Sequence, residues 1–207
     1  MEIKKLDIES INSFWIWFSD CCDDLGQNFD NEELLNELDD RINELGEFAW
    51  EIGPGIFCVN QLVISPGGDL DLLPYTKEIV SYAKVLPNWE FHYAKPPKQW
   101  DLIFDFEKHD GSQIEINASQ WKYVLLKYDD GMFEIIIQTH DLQQLDEDDQ
   151  LNATEILLDG ILGEENRMLY VCGFDVVDEF EEQFKSKKSD IRDLNNHIKR
   201  LTLPPPV

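Results

Sequence analysis

An α+β fold with a mainly antiparallel sheet follows from three features of this 207-residue chain. Short stretches of alternating apolar and polar residues follow one another with tight-turn residues between them. Stripes of helical period stand at both ends. An apolar content of 43%, with 12% aromatics, supplies material for a substantial core. Consecutive strands exclude a doubly wound nucleotide-binding sheet, and the helices are expected on one side of the sheet or at its ends. The length is that of a single domain, 1–207. It divides into an acidic helical segment 1–47, a sheet-rich body 48–177 and a C-terminal helix 178–202.

Taken in order, residues 10–25 place Ile11, Phe14, Phe18, Cys21 and Leu25 on one helical face behind a Ser10 cap. Trp15 and Trp17 widen that surface. Asp30 with Glu33 reads as a capping box for a second helix, with Leu34, Leu35, Leu38, Ile42 and Leu45 inward and Gly46 as the stop. Phe48–Ile52 and Phe57–Ser65 are strands joined through Gly53-Pro-Gly55. A helix from about Asp71, with Pro74 in its first turn, turns Tyr75, Ile79, Val80 and Ala83 inward and ends at Pro87.

Trp89–Tyr93 is a short strand, and Lys95-Pro-Pro-Lys98 is a stiff connector. Leu102–Phe106 and Gln113–Asn117 flank the turn residues His109-Asp-Gly111. Trp121–Tyr128 and Met132–Gln138 form the strongest hairpin, with Asp130-Gly131 as a two-residue type I′ turn. Leu151, Ile156, Leu157 and Ile161 mark an amphipathic helix ending at Gly160 or Gly163, and Met168–Phe174 is a further strand. The last helix starts near Val177 and carries Ile191, Leu194, Ile198 and Leu201 on one face before Pro204-Pro-Pro206.

Charge is the feature with the most to say about partners. The formal net charge is −26. Residues 20–47 hold 11 acids and one base, residues 141–182 hold 14 acids and one base, and the last 25 residues are net positive. Such a distribution disfavours nucleic acid and anionic membrane and favours a basic protein surface or a cation. No run approaches about 18 apolar residues, so no membrane span is expected. The opening Met1-Glu-Ile-Lys-Lys-Leu-Asp-Ile-Glu has no apolar stretch ending in small residues, which points to a cytoplasmic location. Cys21, Cys22, Cys58 and Cys172 show no Cys-x-x-Cys spacing and read as free thiols, with Cys58 and Cys172 buried in strands.

Signatures of chemistry are sparse. Ser65-Pro-Gly-Gly68 joins a strand to a helix but lacks a phosphate-loop pattern and is flanked by Asp69 and Asp71, so it reads as a plain turn. Asp146-Glu-Asp-Asp149 lacks the spacing of a calcium loop and reads as a solvated helix N-terminus. His92, His109, His140 and His197 have no zinc-ligand spacing, and no nucleophile elbow occurs. No catalytic residue, cofactor or metal is assigned.

The pieces Leu62-Val-Ile-Ser-Pro-Gly-Gly68, Thr76–Ala83 with Leu86-Pro-Asn-Trp-Glu-Phe91, and Leu157-Leu-Asp-Gly-Ile-Leu-Gly-Glu164 share a pattern. An Ile-Ser-x-x-Gly turn, a helix closing on Pro-x-x-Trp and a Leu-Gly-Glu before a strand together resemble a bacterial domain-of-unknown-function family over roughly residues 45–175. The resemblance implies a cytoplasmic α+β protein and carries over no catalytic residues.

The functional expectation is a non-enzymatic protein-binding module, of the immunity or antitoxin kind or a regulator, acting on a basic partner. Its contact residues are expected among Asp39, Asp40 and Glu44, among Asp146, Asp148 and Asp149, and at whichever of Trp15 and Trp17 faces outward. The alternatives are an acidic protein whose charge serves solubility alone, and a carboxylate-based hydrolase.

Overall fold

A computed structural model describes residues 6–202 of the chain. The sequence expectations for Met1–Lys5 and for the Pro204–Pro206 run lie outside the described residues. Backbone contacts divide the chain into two compact units, Met1–Lys95 and Pro96–Val207, parting inside the proline connector. Each has its own hydrophobic cluster.

The first unit begins with α1 (Ile8–Leu25) and α2 (Glu32–Leu45). The cap of α1 is Asp7, not Ser10: its carboxylate accepts from the backbone N–H of Glu9 and Ser10. Ile11, Phe14, Trp15, Phe18, Cys22 and Leu25 form the buried face. In α2 the cap is Asn31, whose side chain accepts from Leu34 N, so the Asp30–Glu33 capping box does not form. The expected stripe does: Leu38, Ile42 and Leu45 are buried, and Leu34 and Leu35 pack at its edge.

A three-stranded sheet in the order β1-β2-β3 follows, from β1 (Ala49–Pro54), β2 (Asn60–Ser65) and β3 (Trp89–His92). β1 and β2 are antiparallel, whereas β2 and β3 are parallel and joined across α3 (Leu73–Ser81). Gly53 and Pro54 belong to the strand, and the connection runs through residues 55–59, so the expected Gly-Pro-Gly turn is replaced by a longer loop. Leu62, Val63 and Ile64 are all fully buried, as befits a central strand covered on both faces. Trp15 seals the packing by donating its indole N–H to the Ile79 carbonyl at 2.8 Å.

The second unit contains a hairpin of β4 (Ile103–Glu107) and β5 (Gln113–Asn117). Beside it stands a four-stranded sheet in the order β8-β7-β6-β9. Its members are β6 (Lys122–Lys127), β7 (Phe133–Gln138), β8 (Val171–Val177) and the two-residue β9 (Ser189–Asp190). Antiparallel pairs predominate, with β7–β8 parallel. Between β7 and β8 lie α4 (Glu147–Leu162) and α5 (Glu164–Tyr170), bent apart at Gly163, whose φ is 80°. Residues Met168–Tyr170, expected as strand, are helical. The last helix, α6 (Leu194–Thr202), starts 17 residues later than expected, and Leu201 stays exposed. The stretch after Val177 is turns around Phe180, the only apolar side chain between Val177 and Ile191 that the core buries.

Both hairpins of this unit close with the same device. Gly111 N donates to the Lys108 carbonyl and Lys108 N to the Ser112 carbonyl. Gly131 N likewise donates to the Tyr128 carbonyl and Tyr128 N to the Met132 carbonyl. Gly111 and Gly131 have φ of 81° and 89°, while Asp130 is not at positive φ. Each is therefore a three-residue loop with a glycine bulge, not the two-residue type I′ turn expected at Asp130-Gly131. The preceding aspartate fastens it: Asp110 accepts from Ser112 N and Asp130 from Met132 N.

All four cysteines are free thiols, but Cys58 and Cys172 are exposed, contrary to their expected burial. Cys58 lies in the β1–β2 loop, and Cys172 faces outward on β8.

Candidate functional site

The two acid-rich segments fall in different units, and each unit carries a net −13: six bases against 19 acids in residues 1–95, and 11 against 24 in residues 96–207. On α2, Asp39, Asp40 and Glu44 are all exposed. Asp39 is partly engaged, accepting from Trp50 Nε1 at 2.8 Å and from Asn43 Nδ2 at 3.0 Å. The helix holds one base, Arg41, and that base is occupied. Its guanidinium donates to Glu37 Oε1 at 2.7 Å and lies 4.7 Å above the Trp17 ring. A shallow recess of about 330 Å³ runs from Asp7 and Ser10 across Arg41 to Glu44.

Of the two tryptophans weighed for an outward role, Trp15 is enclosed at 1% exposure, so it presents nothing to a partner. Trp17 is half-buried beneath Arg41.

At the start of α4 the expected triplet separates. Asp146 is the N-cap, accepting from Asp149 N at 2.8 Å. Asp148 is exposed beside Glu147. Asp149 is only 4% exposed, and its carboxylate accepts from His109 N at 3.1 Å. It is a buried fastening between the β4–β5 turn and the helix, not part of a solvated face. Asp110, Asp146, Asp149 and His109 line an open cleft of about 460 Å³. Three carboxylates and a histidine thus share one cleft, the grouping that a carboxylate-based hydrolase would need. Yet Asp110 is bound to Ser112, Asp146 to its helix and Asp149 to His109 N, so each carboxylate is committed to backbone.

A denser charge cluster bridges α4 and α5, and sequence reasoning passed over it. Arg167 Nε donates to Asp159 Oδ1 at 2.5 Å, and its Nη2 lies 2.6 Å from Glu155 Oε1. Burial alone would lower the guanidinium pKa, but Asp159, Glu155 and Glu164 together hold it above its ordinary value. Glu164 is 1% exposed. The available signal was that Arg167 is the only base among 14 acids in residues 141–182.

Two further surfaces were also missed. The outer face of the β4–β5 hairpin presents Asp105, Glu107 and Glu115, with Asp105 directly opposite Glu115, while Phe106 and Ile116 turn inward. The β1–β2 loop is held by Glu90 of β3. Its Oε1 accepts from Ile56 N at 2.6 Å, and its Oε2 accepts from Phe57 N at 2.8 Å and Cys58 N at 2.9 Å. His92 Nε2 lies 3.1 Å from Oε1. Desolvation would raise the carboxyl pKa, but the bonds from Ile56, His92, Phe57 and Cys58 outweigh it and bring the value down to about 2.

Thiol chemistry has no foothold at Cys21 and Cys22. Burial, reinforced by the Cys22 neighbour and Glu37, pushes the Cys21 thiol up to about 11, and burial with Asp23 raises that of Cys22. Among the described residues no group of three or more His, Cys, Asp or Glu side chains is placed to hold a metal ion. No described helix is long and apolar enough to cross a membrane. No family model, no curated protein and no solved structure matches this chain.

Proposed function

We propose that this chain is a non-enzymatic binding module whose acidic surface engages a basic protein, in the manner of an immunity-type inhibitor, an antitoxin or a regulator. The observation that carries the reading is the state of α2. Its one base is occupied by Glu37 and Trp17, while Asp40 and Glu44, one helical turn apart, face water together. Like charges at this spacing cost a few tenths of a kcal/mol, so the arrangement does nothing for the helix itself. The facing Asp105 and Glu115 repeat the pattern on a sheet, where directly opposed like charges are again unfavourable. Opposite charge on a partner relieves both and accelerates encounter.

The contact residues are Asp39, Asp40 and Glu44 in the first unit and Asp148 with Glu147 in the second. Asp146 and Asp149 are left out because their carboxylates serve the fold. The test compares wild type with Asp40→Lys/Glu44→Lys and with Glu147→Lys/Asp148→Lys. Basic proteins retained at 50 mM salt and released at 300 mM are purified, and their association rates are measured. A rate reduced about tenfold in either pair, with folding intact, supports the proposal. No salt-sensitive basic partner, or unchanged rates in both pairs, leaves solubility as the sole role of the charge.

A further inference from the structure

The loop between β1 and β2 spends a nearly buried carboxylate on holding apolar side chains in water. Glu90, whose side chain is 11% exposed, receives three consecutive backbone N–H groups, from Ile56, Phe57 and Cys58. That fixes the loop tip in one conformation. Yet Phe57 is 89% exposed, Val59 65% and Ile56 41%. A connection that only had to turn the chain would gain solubility from polar residues there. A rigid, outward aromatic flanked by aliphatics is instead how binding anchors are built, because ordering is complete before contact is made.

The surroundings define what such an anchor would enter. Asn60 N, one residue beyond Val59, donates to the Asn88 carbonyl at 2.8 Å, so the Lys84–Asn88 loop with its fully exposed Val85 enters the same end of the sheet. The C-terminus of α1 also arrives there: Gly26 packs so closely on the Asn60 side chain and the Trp89 ring that no Cβ would fit. The last turn of α1 carries exposed Asp23 and Asp24 and no base. Acids at a helix C-terminus oppose the macrodipole and add to the negative field at that end. From residue 42 to residue 76 the chain contains no Lys or Arg.

We propose that the Ile56–Val59 tip is a docking anchor. Phe57 inserts into an apolar pocket of a partner protein whose rim carries Lys or Arg facing Asp23 and Asp24. This deepens the reading of an acidic binding module and rests on it. A second copy of the chain is a poor occupant, since each copy would bring the same acidic rim. An anionic membrane is disfavoured for the same reason.

The test places benzoylphenylalanine at position 57 of the full chain for photo-crosslinking in cells and identifies the adduct and its attached peptide by mass spectrometry. The captured protein is then purified and titrated with wild type, Phe57→Ser, Asp23→Lys/Asp24→Lys and Asp40→Lys/Glu44→Lys. A heterologous adduct on an apolar pocket bordered by Lys or Arg, with affinity lowered at least tenfold by Phe57→Ser at an unchanged unfolding midpoint, is the expected result. Full affinity in Phe57→Ser, with loss in the Asp40→Lys/Glu44→Lys variant, overturns the anchor while the acidic-surface reading stands. Full affinity in every variant overturns both. An adduct to a second copy, confirmed by sedimentation at 1–100 µM (roughly the range for weak dimers), overturns the proposal. Flotation with phosphatidylcholine vesicles that is lost in Phe57→Ser also overturns it.

Discussion

Arg167 Nε lies 2.5 Å from Asp159 Oδ1, and that pair sits where three carboxylates converge on a single guanidinium. The arrangement is asymmetric. Removing one acid leaves Arg167 with Glu155 and Glu164; removing the cation takes from the buried Asp159 and Glu164 the guanidinium that both face. Arg167→Met is therefore expected to cost about 3–5 kcal/mol and Asp159→Asn about 1–2. The deficit of Arg167→Met should shrink between pH 7.5 and 5.5, because lower pH relieves the cost of burying carboxylate charge beside a lost cation. Urea midpoints of both variants at the two pH values check this, and equal losses independent of pH would refute the asymmetry.

Glu90 sets a distinct pH signature. Its carboxyl titrates near 2 in the folded chain against 4.5 ordinarily, so its stabilisation is fully present above about pH 4.5 and is lost as pH falls through 2. Glu90→Gln should lose about 2 kcal/mol at pH 7, as three backbone donors lose a charged acceptor. The gap between wild type and variant should close on acidification from pH 5 to 2. Thermal unfolding across that range measures it, and a constant gap would show that the bonds do not depend on the charge.

Glycine inside an exposed helix ordinarily gains about 0.5–1 kcal/mol on replacement by alanine. Gly160 of α4 should do the opposite, because a Cβ there would stand 2.4 Å from the Trp100 ring. The backbone cannot retreat freely, since Lys98 N donates to the Gly160 carbonyl at 2.7 Å. Gly160→Ala is expected to destabilise by about 1–3 kcal/mol. Pairing it with Trp100→Leu should recover part of the loss in a double-mutant cycle, and additive effects would place the strain elsewhere.

The bulged hairpin loop makes opposite demands on its two central residues. Gly131 is at φ 89° in open space, so Gly131→Val should cost about 1–2 kcal/mol through backbone conformation alone. Asp130 is at negative φ and accepts from Met132 N, so Asp130→Gly should lose about 0.5–1 kcal/mol. A type I′ turn would have tolerated that glycine. Denaturant midpoints of the two variants decide between the loops.

What the sequence disclosed here was local. Leu38, Ile42 and Leu45 repeat at helical spacing because one face of α2 is buried, and Asp-Gly marks each hairpin because positive φ is needed within a few residues of the turn. Residues 178–188 misled because their charges mimic a solvated helix, while the stripe needed to dock one is absent: Phe180 alone is buried. Asp149 misled for the converse reason. It occupies an ordinary first-turn position, and its burial depends on His109, 40 residues away in the chain. The anchoring of Phe57 by Glu90 spans 33 residues and leaves no mark on either segment taken alone. Parallel pairing was invisible for the same reason, since nothing within β3 or β8 records the direction of a distant neighbour.

The parallel β7–β8 pair has a consequence for synthesis on the ribosome. β6 and β7 are joined by a short loop and can zip together as soon as Gln138 emerges, but β8 begins only at Val171, after both α4 and α5. Until those residues are made, the nascent hairpin keeps one edge of β7 open, with Phe133, Ile135 and Ile137 awaiting α4 as cover. The acid-rich start of α4 leaves the exit tunnel during that interval. Its acids give neighbouring nascent chains charge of the same sign, which opposes their association while that edge is open.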